Sequence, residues 1–283
     1  MNLTQMLPDL DDVPESLLDE AIFDSFLSWT RSKGLALYPA QEEAALGILA
    51  GDNVILATPT GSGKSMVAIA AHFIAMARGQ RSFYTAPIKA LVNEKFFALC
   101  DIFGPESVGM MTGDATVNGS APIICATAEI VANIALRDGT DADIDQVVMD
   151  EIHSYSEPGR GWVWQVPLLE LPRTQFLLMS ATLGDTTFIQ KDLSDRTGRT
   201  TNLVAGATRP VPLQFSYVYT PVHETIQDLL DTNNAPIYVV HFTQREAIER
   251  AQSLTSMTVI DSETKEKIAT EVGNLKVTPN FGH

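Results

Sequence analysis

The chain has 283 residues, of which 45% are hydrophobic, enough for one large domain and part of a second with a sizeable core. Nineteen Lys and Arg against 35 Asp and Glu give a formal net charge of −16, which argues against a broad basic face for nucleic acid. The longest apolar stretch, Met66–Ala77, is too short to span a bilayer, and the acidic N-terminus lacks a signal-peptide pattern. We therefore expect a cytoplasmic protein without a membrane span, and take a monomer as the default.

Short apolar runs alternate with helical stretches through most of the chain. Residues 1–35 predict an acidic lead-in with one amphipathic helix, Pro14–Ser32. Alternation over residues 36–208 is typical of parallel strands buried on both faces, so the predicted fold class is a three-layer α/β domain. The predicted strands are Asn53–Ala57, Ser82–Ala86, Val108–Met111, Ile123–Ala126, Gln146–Met149 and Phe176–Met179.

The composition changes at a proline-rich bridge, residues 209–222, in which Leu213–Tyr219 predicts one more strand. Residues 223–283 predict the start of a second α/β unit, with a strand at Ile237–Phe242 and a helix at Gln244–Leu254. Thr243 and Glu246 have the spacing of a capping box at the start of that helix. About sixty residues are few for an independent domain.

The two cysteines, Cys100 and Cys125, show no metal-ligand spacing and are interpreted as buried, reduced thiols.

The segment Ala57–Ser65 joins an apolar strand to an apolar helix through a turn rich in glycine. Such a turn points backbone N–H groups at phosphates, and the helix N-terminus adds a favourable dipole. Lys64 would reach the β- and γ-phosphates of ATP, and the Ser65 hydroxyl would ligate Mg²⁺. The cradle itself would be Thr60, Gly61, Ser62 and Gly63. Thr58 stands where the strict P-loop pattern has glycine, and a simple strand-to-helix turn is the alternative.

Two adjacent carboxylates, Asp150 and Glu151, follow the apolar strand that ends near Met149. A Mg-ATP site needs this arrangement: Asp150 would hold the metal, and Glu151 would orient and deprotonate the attacking water. A solvated turn after a strand is the alternative.

Asp150-Glu-Ile-His153 resembles the DExH box of superfamily 2 helicases, and further segments resemble the other motifs of that family in the family's order. The sequence of motif Ia is similar to that of the superkiller (Ski) branch. The segment Arg160–Trp164, which follows the DExH box, is also similar to this branch. The remaining segments are Tyr38–Gln41 (Q motif), Thr85–Lys95 (motif Ia), Thr112–Asp114 and Thr127–Glu129 (strand-contacting motifs), Ser180–Thr182 (motif III) and Val240–Thr243 (motif IV).

The resemblance implies a RecA-like P-loop NTPase domain over residues 36–208 and the beginning of a second RecA-like domain over residues 223–283. It further implies ATP and Mg²⁺ as cofactors, and single-stranded nucleic acid, RNA in preference to DNA, as partner. Gln41 would read the adenine edge, with a helix-start glutamine as the alternative. The implied nucleic-acid contacts are Thr85, Lys89, Thr112, Thr127 and Thr243, of which the first four could instead be strand-end hydroxyls or a solvated lysine.

The resemblance also implies coupling residues. His153 would relay between the two domains, and Ser180 and Thr182 would link the γ-phosphate to the nucleic-acid face. A satisfied buried histidine and helix capping by Thr182 and Asp185 are the alternatives. Trp162 and Trp164 are interpreted as core residues rather than base-stacking platforms.

Motifs V and VI of the family, which bring an arginine finger from the second domain, are not found, and Arg245 and Arg250 do not match motif VI. We therefore expect a piece of a longer helicase, with a naturally truncated binding module as the alternative. Three functions stay open: an RNA-directed helicase, a DNA-directed relative, and an ATP- and strand-binding module with little catalysis.

Overall fold

The computed structural model describes residues 2–10, 13–206, 211–255 and 262–274, with 272–274 described by backbone alone. The chain divides into two compact units, Met1–Pro212 and Leu213–His283. Among the described residues, none of the helices is long and apolar enough to cross a membrane.

The first unit alternates strands and helices. Its helices are α1 (Leu18–Ser32), α2 (Pro39–Leu49), α3 (Lys64–Ala77), α4 (Lys89–Phe103), α5 (Ala128–Asp138), α6 (Trp162–Glu170) and α7 (Thr187–Thr197). Its strands are β1 (Asn53–Ala57), β2 (Ser82–Ala86), β3 (Val108–Thr112), β4 (Ala115–Val117), β5 (Ile123–Thr127), β6 (Gln146–Asp150), β7 (Gln175–Ser180) and β8 (Thr201–Ala205). Short 3₁₀ helices lie at Leu3–Met6, Glu15–Leu17, Pro105–Ser107, Gly139–Asp141 and Ile152–Ser156.

The strands form one sheet in the order β4-β3-β5-β2-β6-β7-β1-β8. Only β4 runs antiparallel to its neighbour, pairing with β3 so that Met110 lies opposite Val117. The strands β1 and β6 are separated by β7, and β2 lies directly between β5 and β6. Because β1, β2, β5, β6 and β7 are mutually parallel, the loops that follow them lie along one edge of the sheet, here called the carboxyl edge.

Two hydrophobic clusters cover the two faces of the sheet. One packs α1, α2, α3 and α4 against residues such as Val54, Tyr84 and Val148. The other packs α5, α6 and α7 against the opposite face of the sheet, which is formed by the alternate strand residues such as Ile55, Phe83 and Val147. This is the predicted three-layer architecture. The lead-in belongs to it, because Leu3 is fully buried and Phe26 packs against Phe73 with tilted rings whose centroids are 5.8 Å apart.

The six strands predicted in the first unit are confirmed to within one residue at each end. The predicted helix Pro14–Ser32 begins as the 3₁₀ turn and continues as α1. Two strands, β4 and β8, were not predicted. Trp164 is 1% exposed, as predicted, whereas Trp162 is 45% exposed and its assignment to the core is wrong because it begins α6 at the surface. Cys125 is buried and Cys100 is partly buried, and both are free thiols.

The second unit is described as helices α8 (Val222–Asp231), α9 (Gln244–Leu254) and α10 (Ser262–Asn274). The predicted helix Gln244–Leu254 and its capping box are confirmed, since Thr243 Oγ1 accepts from the N–H of Glu246 at 3.2 Å. The predicted strands Leu213–Tyr219 and Ile237–Phe242 are wrong. Neither segment has a neighbouring strand to pair with among the described residues, and Phe215 and Tyr238 are 88% and 92% exposed. Residues 207–210 of the predicted bridge and the tail 275–283 lie outside the described residues.

Candidate functional site

The turn between β1 and α3, predicted to bind phosphate, contains a glycine in a left-handed conformation. Gly63 precedes the first helical residue, Lys64, and has a φ of 78°, a left-handed conformation that favours glycine. A Cβ at Gly63 would lie 2.2 Å from Nε2 of Gln41, so any larger residue here would displace the Gln41 amide. Thr58, which replaces the family's glycine, is buried, and its hydroxyl lies 2.7 Å from that of Ser62. The turn therefore accommodates threonine at the position where the P-loop pattern has glycine.

Gln41 fastens this turn to the start of α2. Its Oε1 accepts from the N–H of Tyr38 at 2.8 Å, and its Nε2 donates to the carbonyls of Ser62 at 3.2 Å and Gly63 at 3.0 Å. The side chain is 7% exposed. Gln41 thus acts as a helix-start glutamine and as a brace for the loop, while its contact with adenine stays a prediction.

The Lys64 ammonium curls back over the loop. Its Nζ donates to the carbonyl of Thr58 at 2.8 Å and lies 3.3 Å from that of Pro59. The hydroxyl of Ser65, the predicted Mg²⁺ ligand, accepts from Nζ of Lys95 on α4 at 3.1 Å. A second lysine therefore stands beside the predicted metal position.

The two carboxylates Asp150 and Glu151 stand at the end of β6, on the same edge of the sheet as the P-loop. Oδ2 of Asp150 accepts from the hydroxyl of Tyr84 on β2, and Oδ1 accepts from the N–H of Glu151 at 3.0 Å. Burial and the negative charge of Asp150 raise the pKa of Tyr84, so the phenol stays protonated and donates. Glu151 has φ 56° and ψ 42°, a left-handed conformation rare for a residue with a side chain.

His153 connects the DExH segment to the end of β7. Its Nδ1 lies 3.2 Å from Oε2 of Glu151 and 3.3 Å from Oγ of Ser180. Ser180 is fully buried, and its Oγ accepts from the N–H of Thr182 at 3.2 Å. The structure thus brings together the predicted coupling residues of the first unit. Helix capping by Thr182 does not occur, because α7 begins at Thr187 and Asp185 accepts from the N–H of Thr187.

The residues predicted to contact nucleic acid are not equally accessible. Lys89 begins α4, is half-exposed and pairs with Asp114, Nζ to Oδ2, at 2.5 Å. Thr127 is partly buried at the N-terminus of α5. Thr85 is 1% exposed inside β2, so its hydroxyl is covered by the surrounding side chains, and its contact with nucleic acid stays a prediction. Thr112 is 6% exposed and donates to Asp114 at 2.9 Å, so it supports the Lys89–Asp114 pair and is not itself open to a strand.

Thr243, the remaining predicted contact, lies in the second unit, where its hydroxyl caps α9.

Comparison with known proteins identifies the family of this chain. Residues 38–189, more than half of the chain, match the profile of the DEAD/DEAH box helicase family. The chain belongs to this family. Membership of this family implies the use of ATP.

Curated relatives are similar over the first unit. The chain is 35% identical over 199 residues to the chloroplastic DExH-box ATP-dependent RNA helicase DExH15 of Arabidopsis thaliana, covering 68% of this chain and 17% of that protein. It is 36% identical over 175 residues to the probable helicase HelY of Mycobacterium tuberculosis, covering 61% and 19%. It is 32% identical over 201 residues to the antiviral helicase SKI2 of Saccharomyces cerevisiae, covering 70% and 15%. The chain spans less than a fifth of the length of these relatives.

Solved helicase structures share the fold. The crystal structure of the DUF1998 helicase MrfA aligns with a TM-score of 0.60 at 19% identity, over 94% of this chain and 43% of that chain. The Hef helicase domain of Pyrococcus furiosus aligns with a TM-score of 0.50 at 21% identity, over 72% and 46%. The predicted helicase-type α/β fold is confirmed.

Three residues at the carboxyl edge were not predicted as part of the site: Tyr84, Lys95 and Arg160. Tyr84 is a polar residue inside the apolar run of β2, and Lys95 closes the segment that resembles motif Ia. These two features could have drawn attention to Tyr84 and Lys95. The residues that Tyr84 and Lys95 contact, however, follow only from the strand order. At the carboxyl edge, Lys89 and Arg160 are paired with Asp114 and Glu129, and Asp150 and Glu151 lie at the same edge, so its positive and negative side chains are matched.

Proposed function

We propose that this chain is the ATP-binding core of an RNA-directed helicase, coupling ATP hydrolysis to single-strand binding and unwinding. The observation that carries the proposal is the alignment of three motifs along one sheet edge: the P-loop after β1, Asp150-Glu151 after β6 and Ser180 after β7. RNA is favoured over DNA because DExH15 is named as an RNA helicase. The cytoplasmic location and the monomeric state, both expected from the sequence, stay part of the proposal.

The donor set at this edge fits Mg²⁺ bound together with ATP. A hydroxyl from Ser65 and a carboxylate from Asp150 are hard oxygen ligands, and Mg²⁺ commonly takes one or two protein ligands with phosphates and water completing its shell. Among the described residues there is no group of three or more His, Cys, Asp or Glu that could hold a metal by itself. When bound, Mg²⁺ offsets the negative charge of the β- and γ-phosphates.

Each side chain then has one task. The backbone N–H groups of residues 60–63 and the N-terminus of α3 hold the phosphates, and Lys64 leaves the carbonyl of Thr58 to reach them. Glu151 accepts a proton from the attacking water, and His153 keeps that carboxylate in place from 3.2 Å. The buried Ser180 connects His153 to the motif III segment.

The first test is calorimetric binding of Mg-ATP to the parent and to Lys64→Ala. Loss of a charge-assisted contact to phosphate costs roughly 2–3 kcal/mol, so affinity should fall by about 30- to 150-fold. Lys191→Ala, on the exposed surface of α7, is the control and should bind normally. Equal affinity of Lys64→Ala and the parent, with both proteins folded, would refute the P-loop assignment.

The second test compares stimulation of ATP hydrolysis by single-stranded RNA and by single-stranded DNA of one sequence. Stronger stimulation by RNA supports the proposal. Stronger stimulation by DNA selects the DNA-directed relative, and stimulation by neither, with nucleotide binding retained, selects the binding module.

A further inference from the structure

Arg160 joins three segments of the carboxyl edge through one guanidinium. It lies between the 3₁₀ helix Ile152–Ser156 and α6. Its Nη2 donates to the carbonyl of Pro87 at 2.9 Å and to Oε1 of Glu129 at 2.7 Å. We call this set of three residues, Arg160 with Pro87 and Glu129, the Arg160 bridge.

The bridge spans three neighbouring strands. Pro87 directly follows β2, Glu129 lies in the first turn of α5 after β5, and the segment with Arg160 follows β6. These strands are adjacent in the order β5-β2-β6 and run parallel. The guanidinium therefore reaches from the loop that carries the DExH residues to the two segments that carry Lys89 and Thr127.

On its own side, Arg160 is held firmly to the DExH segment. The N–H of Gly161 donates to the carbonyl of Glu157 at 2.9 Å. The N–H of Trp164 donates to the carbonyl of Gly161 at 3.0 Å. A Cβ at Gly161 would lie 2.2 Å from the carbonyl oxygen of Tyr155, so the chain turns where only glycine fits. Arg160 is therefore packed against residues 155–157, which follow directly on the DExH residues.

We infer that Arg160 is a positioning residue that transmits the nucleotide state of the DExH segment to the strand-binding segments at Lys89 and Thr127. The inference rests on the proposed function. Arginine suits the task because its planar fork serves two acceptors at once, which a lysine ammonium does with less geometric control. The guanidinium and the Glu129 carboxylate are 51% and 40% exposed, and exposed pairs contribute little to stability. Loss of the bridge should therefore weaken the coupling and spare the fold.

The experiment measures thermodynamic linkage in the full chain. The affinity for a fluorescent single-stranded RNA is determined with and without a saturating non-hydrolysable ATP analogue and Mg²⁺. The ratio of the two affinities is the coupling factor, typically about 5- to 150-fold in coupled systems. The variants are Arg160→Met and Arg160→Lys. The control is Arg137→Met, because the Arg137 side chain is 71% exposed and pairs with its neighbour Asp138.

We expect Arg160→Met to lower the coupling factor by about fivefold or more, with the nucleotide affinity in the absence of RNA within about twofold of the parent. Arg160→Lys should retain part of the coupling, and Arg137→Met should retain all of it. Glu129→Gln should also lower the coupling, and the double variant with Arg160→Met should lose little more, because both changes break one bridge.

An unchanged coupling factor in Arg160→Met would overturn the inference while the proposed function stands. A fall in melting temperature with parallel loss of both affinities would also overturn it, because the role of Arg160 would then be structural. If the parent itself binds ATP analogue and RNA independently, the proposed function fails and the inference fails with it.

Discussion

Glu151 combines an unusual backbone with the position of a general base. Its left-handed φ of 56° belongs to a class of conformations that cost a non-glycine residue on the order of 1–3 kcal/mol and occur mainly at functional sites. The conformation ends β6 abruptly and leaves the carboxylate 3.2 Å from His153 rather than continuing the strand. This backbone strain supports the proposed catalytic role of Glu151.

We expect Glu151→Gln to bind ATP with an affinity within about twofold of the parent and to hydrolyse it at least about 100-fold more slowly. The amide keeps the shape and the hydrogen bonding but cannot take a proton. Calorimetry and single-turnover hydrolysis measure the two effects separately. Glu157→Gln, in the same segment, is the matched control and should retain hydrolysis. Undiminished turnover of Glu151→Gln would assign the base elsewhere.

Tyr84 supports the other carboxylate from a neighbouring strand. Its hydroxyl donates to Oδ2 of Asp150 from a site that is 2% exposed, and so restricts the rotamer of the predicted metal ligand. A hydrogen bond to a charged group contributes about 1.5–3 kcal/mol. Tyr84→Phe should therefore raise the Mg²⁺ concentration for half-maximal hydrolysis by roughly tenfold. Its maximal rate at saturating Mg²⁺ should change little.

The measurement is a Mg²⁺ titration of ATP hydrolysis at fixed ATP. Tyr219→Phe, at a position that is 92% exposed in the second unit, is the control and should follow the parent curve. A Tyr84→Phe curve that also coincides with the parent curve would show that the hydrogen bond from Tyr84 to Asp150 does not contribute to Mg²⁺ binding.

The proposed site residues could be predicted from the sequence, whereas the residues that contact them could not. Lys64, Ser65, Asp150 and Glu151 follow from local patterns, because a strand-to-helix turn and a strand end position them without reference to the rest of the chain. The partners Tyr84, Lys95 and Arg160 act across strands, and they could be inferred only with the order β5-β2-β6 in hand. The burial of Thr85 has the same cause, since β2 is covered on both sides.

At the scale of whole elements, apolar runs predicted strands where a neighbour was available. The runs in β1 and β7 were recognised because central parallel strands are buried on both faces. β4 and β8 are short or partly polar edge strands, and they are stabilised by pairing with β3 and β1 more than by their own pattern. Leu213–Tyr219 and Ile237–Phe242 have the pattern without a described partner, and an apolar run alone does not make a strand.

Polar residues at the amino ends of three strands link the layers on the opposite edge of the sheet. Nδ1 of His72 lies 2.7 Å from Oγ of Ser82, which donates to Oε1 of Gln146 at 2.8 Å. Nε2 of Gln146 lies 3.1 Å from Oε1 of Gln175, which ties back to the end of α2. Nε2 of His72 is buried and has no partner among the described residues, so the ring is neutral here.

Burial lowers the pKa of His72 from 6.5 to about 3. The unfolded chain takes up the proton near pH 6.5, whereas the folded chain takes it up only near pH 3. The stability linked to His72 is therefore fully present above pH 6.5 and is lost as the pH falls below it. The slope approaches about 1.4 kcal/mol per pH unit, giving about 2 kcal/mol at pH 5.

Urea unfolding of the parent and of His72→Asn between pH 7.5 and pH 5 measures this effect. Asparagine can donate to Ser82 and does not titrate. We expect the variant to be less stable at pH 7.5 and to lose less stability on acidification. Parallel curves for the two proteins would mean that other groups account for the acid sensitivity.

At the scale of the whole molecule, the described core lies in the first unit. Both hydrophobic clusters draw their buried members from Leu3 to Val204, and helices α8 and α9 have no buried residue. The proposed nucleotide site also lies within residues 38–182. We therefore expect folding and the proposed nucleotide binding to be properties of Met1–Pro212.

We expect deletion of residues 213–283 to change the melting temperature of the first unit by less than about 4 °C, which for a domain of this size corresponds to about 1 kcal/mol. The affinity for Mg-ATP should stay within about twofold. Leu3→Ala is the contrasting change, because it empties a fully buried position and should cost about 2–5 kcal/mol. Differential scanning calorimetry of the parent, the deletion and Leu3→Ala compares the three. A larger fall for the deletion than for Leu3→Ala would place stabilising contacts in the second unit, and would contradict the assignment of the core to residues 3–204.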